Sequence, residues 1–345
     1  MNGYNQYEYS PAQDAAQAAA QAEKLKETAD YKRTLFILAV SVFFVTIIVM
    51  ILAVTIFEYS PVILEAIGII DPSPTIEYLL VWLQNDIAVY LPPLLIFGFV
   101  FKKRMNYEKP GEPYEYKPVW IIPLFLAGSA LGYMGMIFTS LFSELYSLIF
   151  GGDGLAEVME GLTPKSNNEL FVMVISVGII APICEELIYR HLLLKPLRRF
   201  GDFQAVIITS VLFGFFHGNL TQFLYTMMIG FILGITAIRA NSLLPAIILH
   251  MMNNVYAILT MKLAEAGELG TSALGDNGVT VLMYAILGLG VASLIRFALS
   301  GKFSIENNNP HLSPGERVRI LVKMPSAIIL LILLSFVTII GTIYM

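Results

Sequence analysis

Residues 176–199 read SVGIIAPICEELIYRHLLLKPLRR, an apolar run suited to a bilayer span that carries Glu185, Glu186 and Arg190 in its interior. A charge at membrane depth is costly, and where one occurs it generally faces the inside of a helix bundle or a water-filled cavity. Helical geometry sorts the three. Glu186 and Arg190 are four residues apart, share a face and are placed to pair, whereas Glu185 points about 100° away from Glu186 and is free to face something else. Pro182, just before them, cannot give an N–H to the carbonyl of Gly178 and predicts a kink that opens room for water.

The rest of the chain agrees with a membrane setting. Of its 345 residues 57% are hydrophobic and only 14% charged, with a mean hydropathy of +0.71; soluble domains carry about 25% charged residues. The apolar residues come in blocks of about 17 to 25, the length a helix needs to cross the hydrocarbon, and not in the short alternating segments of an outer-membrane barrel. This predicts an all-α polytopic membrane protein with about nine spans, at 34–57, 79–101, 119–149, 169–195, 203–217, 220–239, 243–262, 278–297 and 326–344. The division between the fifth and sixth, around HGNL (217–220), is the weakest. Four regions follow: a polar cytosolic arm (1–33), expected to be mobile or marginally helical; N-terminal spans (34–164); a core (165–262) with most of the polar residues at depth; and C-terminal spans (263–345).

Lys and Arg in short loops mark the cytoplasmic side. Lys32 and Arg33 precede the first span, and Lys102 to Arg104, then Lys195, Arg198 and Arg199, then Arg239, then the group from Arg296 to Lys323 follow the second, fourth, sixth and eighth. The loops between them hold Glu58, Glu65, Asp71 and Glu77, or Asp153, Glu157 and Glu160, with few cations. An N-in, C-out topology satisfies the pattern. The N-terminus lacks the basic region and early apolar core of a signal peptide, so the first span is expected to remain as an anchor. The net charge of −5, without a basic cluster, argues against nucleic acid as a partner. No Gly-rich phosphate loop follows a strand pattern, which argues against nucleotide chemistry. The single cysteine, Cys184, has no partner for an internal disulfide and, in apolar surroundings, is expected to be inert.

Two histidines reach the depth of Glu185. Glu185 lies ten residues in from Lys195, about 15 Å; His250 lies nine in from Asn241, about 14 Å; His217 lies some 20 Å along the fifth span from Asp202. Each has a companion four residues away on its own face, Phe213 with His217 and Asn254 with His250. His191 and His311 are read instead as interface and loop residues. EELIYR (185–190), FGFFH (213–217) and HMMNN (250–254), in this order on successive spans, resemble the motifs E-E-x-x-x-R, F-x-x-x-H and H-x-x-x-N of the CAAX prenyl protease type two family, also called the Abi or CPBP group. The resemblance covers residues 165–262.

That resemblance implies a conical multi-helix core and an intramembrane endopeptidase. In it Glu185 and His217 bind and deprotonate a water, His250 and Asn254 donate to the oxyanion, and Glu186, Arg190 and Phe213 support them. It implies a substrate supplied in trans, a prenylated or bacteriocin-like peptide or a lipidated protein, with membrane lipid around the protein and, for a bacterial relative, a plasma-membrane location. The same residues leave a second mechanism open, because Glu185, His217 and His250 also make a ligand set for one catalytic divalent metal such as zinc. The H-E-x-x-H signature of zinc proteases is not present. A catalytically silent scaffold or immunity protein on the same fold is a further reading. A proton-coupled transporter fits less well, since no paired interrupted helices occur in matching halves.

Overall fold

A computed structural model describes residues 11–66, 68–69, 73–104, 114–150, 163–268, 275–305 and 311–344. Among these residues every regular element is helical, and eight helices are long and apolar enough to cross a bilayer. The protein is an all-α integral membrane protein. Its helices are α1 (Pro11–Ala66), α2 (Pro74–Phe101) and α3 (Ile121–Phe150), followed by a composite helix built of α4 (Asn167–Ile175), a π-helical stretch (Ser176–Ile180), α5 (Ala181–Glu186), a second π-helical stretch (Leu187–Leu194) and α6 (Lys195–Leu197). There follow α7 (Asp202–Phe215), α8 (Leu220–Ala240), α9 (Leu244–Glu268), α10 (Gly275–Leu299), α11 (Pro314–Lys323) and α12 (Pro325–Tyr344).

The expected fifth span is α7, and it differs from the others. Its 14 residues rise about 21 Å, short of the roughly 30 Å of hydrocarbon. It is buried by protein over much of its length, with Val206, Thr209, Leu212 and Phe213 almost inaccessible, so it has little need to match the bilayer. It ends in a tight turn in which Gly218 adopts φ 72°, and Asn219 then caps α8 by accepting from the backbone N–H of Gln222 at 2.8 Å.

The polar arm is the second difference. From Pro11 onward it is helix, continuous with the first span, and not a marginally helical tail. No Gly or Pro interrupts the chain between 12 and 60, and the arm is held by tertiary contacts. Tyr31 is 1% exposed, packs on Phe200 with ring centroids 4.9 Å apart and accepts from Gln204 at 2.5 Å; Arg199 bonds Asp30 at 2.9 Å and Thr34 at 2.8 Å; Lys24 pairs with Glu316 at 2.7 Å. Packing thus supplies what propensity alone leaves marginal. The start of the arm with Tyr4, Tyr7 and Tyr9, and the acidic loop residues Asp71, Asp153, Glu157 and Glu160, lie outside the described residues.

Two apolar clusters frame the middle of the molecule. One joins Val42 and Val45 of α1, Phe97 of α2, Leu193, Val206 of α7 and Ile235 of α8. The other joins Leu124 of α3, Ile232 and Leu233 of α8, Ala246 and Leu249 of α9 and Phe297 of α10. The composite helix lies between α2 and α9 and packs on α7.

Candidate active site

Proline sets the local structure of the composite helix. Where Pro182 predicts a break in the α ladder, the chain winds as π over Ser176–Ile180, and the N–H of Ala181 bonds the carbonyl of Ser176. π winding pairs each carbonyl with the N–H five residues on. The carbonyl that meets Pro182 is therefore that of Val177, not that of Gly178, which an α register picks out. Asn254 of α9 donates its side-chain amide to this oxygen at 2.9 Å.

Five side chains then form a line across the bundle. Arg190 pairs through Nε with Oε2 of Glu186 at 3.2 Å, donates from Nη2 to the carbonyl of Gly230 on α8 at 3.1 Å, and lies over the ring of Phe213, 4.9 Å from its centroid. Glu186, 0% exposed, accepts at Oε1 from Nδ1 of His250 at 3.0 Å. The other nitrogen of His250, Nε2, lies 3.4 Å from Oε2 of Glu185, whose Oε1 accepts from the hydroxyl of Tyr90 on α2 at 2.9 Å. His250 thus faces Glu186 with Nδ1 and Glu185 with Nε2.

His217 stands in the turn between α7 and α8. The last turn of α7 tightens so that the N–H of His217 goes to the carbonyl of Gly214 at 3.2 Å, which leaves the carbonyl of Phe213 to the imidazole, 2.8 Å from Nδ1. That contact assigns the ring proton to Nδ1 and leaves the lone pair on Nε2. Asn219 donates to the carbonyl of His217 at 2.9 Å and fixes the turn. The ring of Phe213 stands edge-on to both histidines, 4.9 Å from His217 and 5.5 Å from His250.

A cavity of about 150 Å³ opens between α2, the composite helix and the end of α7, lined by Tyr90, Pro93, Glu185, Ile188, Phe216 and His217 among others. It has room for several waters between one carboxylate and one imidazole, with mostly apolar walls. Of the residues singled out in the sequence, Glu185, Glu186, Arg190, Phe213 and His250 touch in one chain, His217 shares the cavity with Glu185, and Asn254 is engaged with Val177. Cys184 is a half-buried free thiol.

Sequence reasoning passed over Tyr90 and Asp86. Asp86 is 7% exposed and accepts from the hydroxyl of Ser176 at 2.5 Å. It sits one turn before Tyr90 in the same span, and the argument from charges at depth that selected Glu185 applies to it equally. Tyr90 has no such signal, because an isolated tyrosine in an apolar span reads as packing or as an interfacial anchor.

Among the described residues no three His, Cys, Asp or Glu side chains are grouped closely enough to hold an ion; Nε2 of His250 and Oε2 of Glu185 lie 3.4 Å apart, and His217 shares the cavity with Glu185.

Residues 167–256 match the Rce1-like family. Its model is described as "Type II CAAX prenyl endopeptidase Rce1-like", and the Rce1-like segment runs from the start of α4 into α9 and contains every residue of the site except those of α2. The chain is also 30% identical over 89 residues to the "Putative membrane peptidase YdiL" of Bacillus subtilis (strain 168), a match covering 26% of this chain and 36% of that protein. The similarity therefore spans about a third of the relative's length. No solved structure gives a significant match.

Proposed function

We propose that this protein is an intramembrane endopeptidase that hydrolyses a peptide bond with a water held between Glu185 and His217. The observation that carries the reading is the position of Glu185. It is the carboxylate of the buried line from Arg190 to Tyr90 that lines the cavity, together with an imidazole that has a free lone pair. Nε2 of His217 accepts a hydrogen bond from the water and orients it. Glu185 removes its proton as the oxygen attacks the scissile carbonyl. His250, held at Nδ1 by Glu186, donates from Nε2 to the carbonyl oxygen as negative charge grows there. The proton on Glu185 then passes to the leaving amine. Tyr90 keeps the carboxylate aimed at the water, and Arg190 balances the charge of Glu186.

The apolar walls suit a peptide presented with lipid or apolar side chains, and the match to a prenyl endopeptidase family supports a membrane-associated or lipidated substrate. The Bacillus relative supports the plasma membrane of a bacterium as the location.

The test uses protein purified in detergent. Turnover of a panel of prenylated and plain peptides is compared for wild type, Glu185→Ala, His217→Ala and His250→Ala. Each variant is expected to lose about 10²-fold or more in kcat, with folding unchanged by size-exclusion profile. Equal turnover by all four proteins overturns the reading and favours a silent scaffold. Chelation followed by elemental analysis tests the metal alternative: activity that falls with the metal and returns with zinc would replace the free-water mechanism.

A further inference from the structure

We propose that Asn254 is a positioning residue whose side-chain amide takes the place of the backbone N–H that Pro182 lacks, and so holds Glu185 against His250. The role rests on the peptidase reading only for its consequence in catalysis. Its structural part stands by itself.

The argument starts from the missing donor. In π winding the carbonyl of Val177 looks to residue 182, and residue 182 is a proline. In a membrane helix water is not at hand to accept the loss, and a freed carbonyl must be satisfied from a neighbouring helix or side chain. Asn254 supplies the bond at 2.9 Å. The approach of the two helices is close at this point. A Cβ on Gly178, next to Val177, would lie 3.0 Å from Cγ2 of Val255, next to Asn254, so the absence of a side chain at 178 is what lets α9 come within reach.

The placement has a second half. His250 lies one turn before Asn254 on α9, and Glu185 lies three residues after Pro182 on the composite helix. The two elements are therefore joined twice, by Asn254 to Val177 and by His250 to Glu185 and Glu186. The first bond fixes the spacing and rotation at which the second is made. One of the two amide hydrogens of Asn254 is given to the Val177 carbonyl, so a donor that its motif implies for the developing oxyanion is engaged in holding the composite helix.

A double-substitution cycle separates the two roles, because Pro182→Ala restores the donor that Asn254 replaces. Thermal midpoints of the purified proteins and kcat and KM are measured for wild type, Asn254→Ala, Pro182→Ala and the double variant. Asn254→Ala is expected to lower the midpoint by about 2–6 °C, the effect of one buried acceptor left unpaired, and to lower kcat about tenfold with KM unchanged. In the double variant both losses are expected to shrink at least threefold. If Asn254 instead serves the oxyanion, its loss of kcat persists in full beside Pro182→Ala and the midpoint does not move; that result overturns the proposal. Should Asn254→Ala fail to fold, recovery of folded protein in the double variant supports the proposal and failure of both overturns it. The midpoints remain readable even if no peptide is cleaved, so a failure of the peptidase reading is told apart from a failure of this one.

Discussion

Glu186 and Arg190 are 0% and 2% exposed, and at that burial the consequence of breaking the pair outweighs its contribution to stability. Arg190→Met leaves a carboxylate with no cation beside it and is expected to lower stability by about 3–5 kcal/mol, read as a fall in the detergent denaturation midpoint. Replacing both members together, by Glu186→Gln with Arg190→Met, is expected to lose less than the arginine substitution alone. Tyr90→Phe keeps the ring in its place and removes only the hydroxyl that holds Glu185. It should lower kcat about tenfold, the worth of one hydrogen bond to a charged group, while leaving the thermal midpoint within a degree or two. At this scale much of the site is legible in the sequence. The four-residue spacing of Glu186 and Arg190 predicts a pair that is present at 3.2 Å. The spacing of His250 and Asn254 shows only that they share a face, not that each reaches a different target on the composite helix. Contacts between distant segments such as Tyr90 with Glu185 leave no local trace in a single sequence.

Among the elements, α11 is the one whose stability responds to pH by a visible route. Ser313 and Glu316 form a reciprocal cap, and Lys24 of the N-terminal arm adds an ion pair to the same carboxylate. These hydrogen bonds, that from Lys24 first, hold the Glu316 carboxyl at about 2, below its ordinary value of 4.5. A carboxyl whose folded value is depressed stabilises the fold above its unfolded value and loses that contribution as pH falls toward the folded one. The docking of α1 on α11 is thus expected to be complete above about pH 5 and to loosen between about pH 4.5 and 2. The protection factors of the amides of 314–323, corrected for the intrinsic pH dependence of exchange, should fall in that window, and in Glu316→Gln they should be lowered already at neutral pH. The element scale is also where sequence periodicity has least to offer. A 14-residue apolar helix such as α7 and a 20-residue span have the same composition, and only the surrounding protein decides which is which. The arm at 11–33 reads as polar and marginal because the residues that hold it, Arg199, Phe200 and Gln204, are more than 160 positions away.

For the whole molecule, the loops that the charge pattern assigns to one side do meet. Arg239 in the last turn of α8 donates to the carbonyls of Glu115 before α3 and of Gly301 and Ser304 after α10, while Arg199 after α6 holds Asp30 of α1. The single cysteine makes the orientation easy to test. In a Cys184→Ser background, a cysteine placed at Lys103 is expected to react with an impermeant maleimide only in inverted vesicles, and one placed at Glu65 only in intact cells. The opposite labelling would reverse the assigned sides. The fold class was readable from hydropathy because the bilayer requires long apolar blocks. The order in which helices touch was not, since apolar faces of equal length carry no address.

The two π-helical stretches give the composite helix a property that concerns length. A π turn takes up more residues than an α turn over the same rise, so the five residues at Ser176–Ile180 and the eight at Leu187–Leu194 hold slack that α winding would not. A chain shortened by one residue within 187–189 can close up as α-helix and still span the same gap. Because the turn is closed with one residue fewer, the helix beyond Leu194 keeps its phase around the axis, and Arg190 moves from four residues after Glu186 to three, still on the same face. Single-residue deletions there are therefore expected to leave a folded membrane helix with its charges still facing one another, whereas the same deletion in a regular α-helical span such as α8 turns everything after it by about 100°.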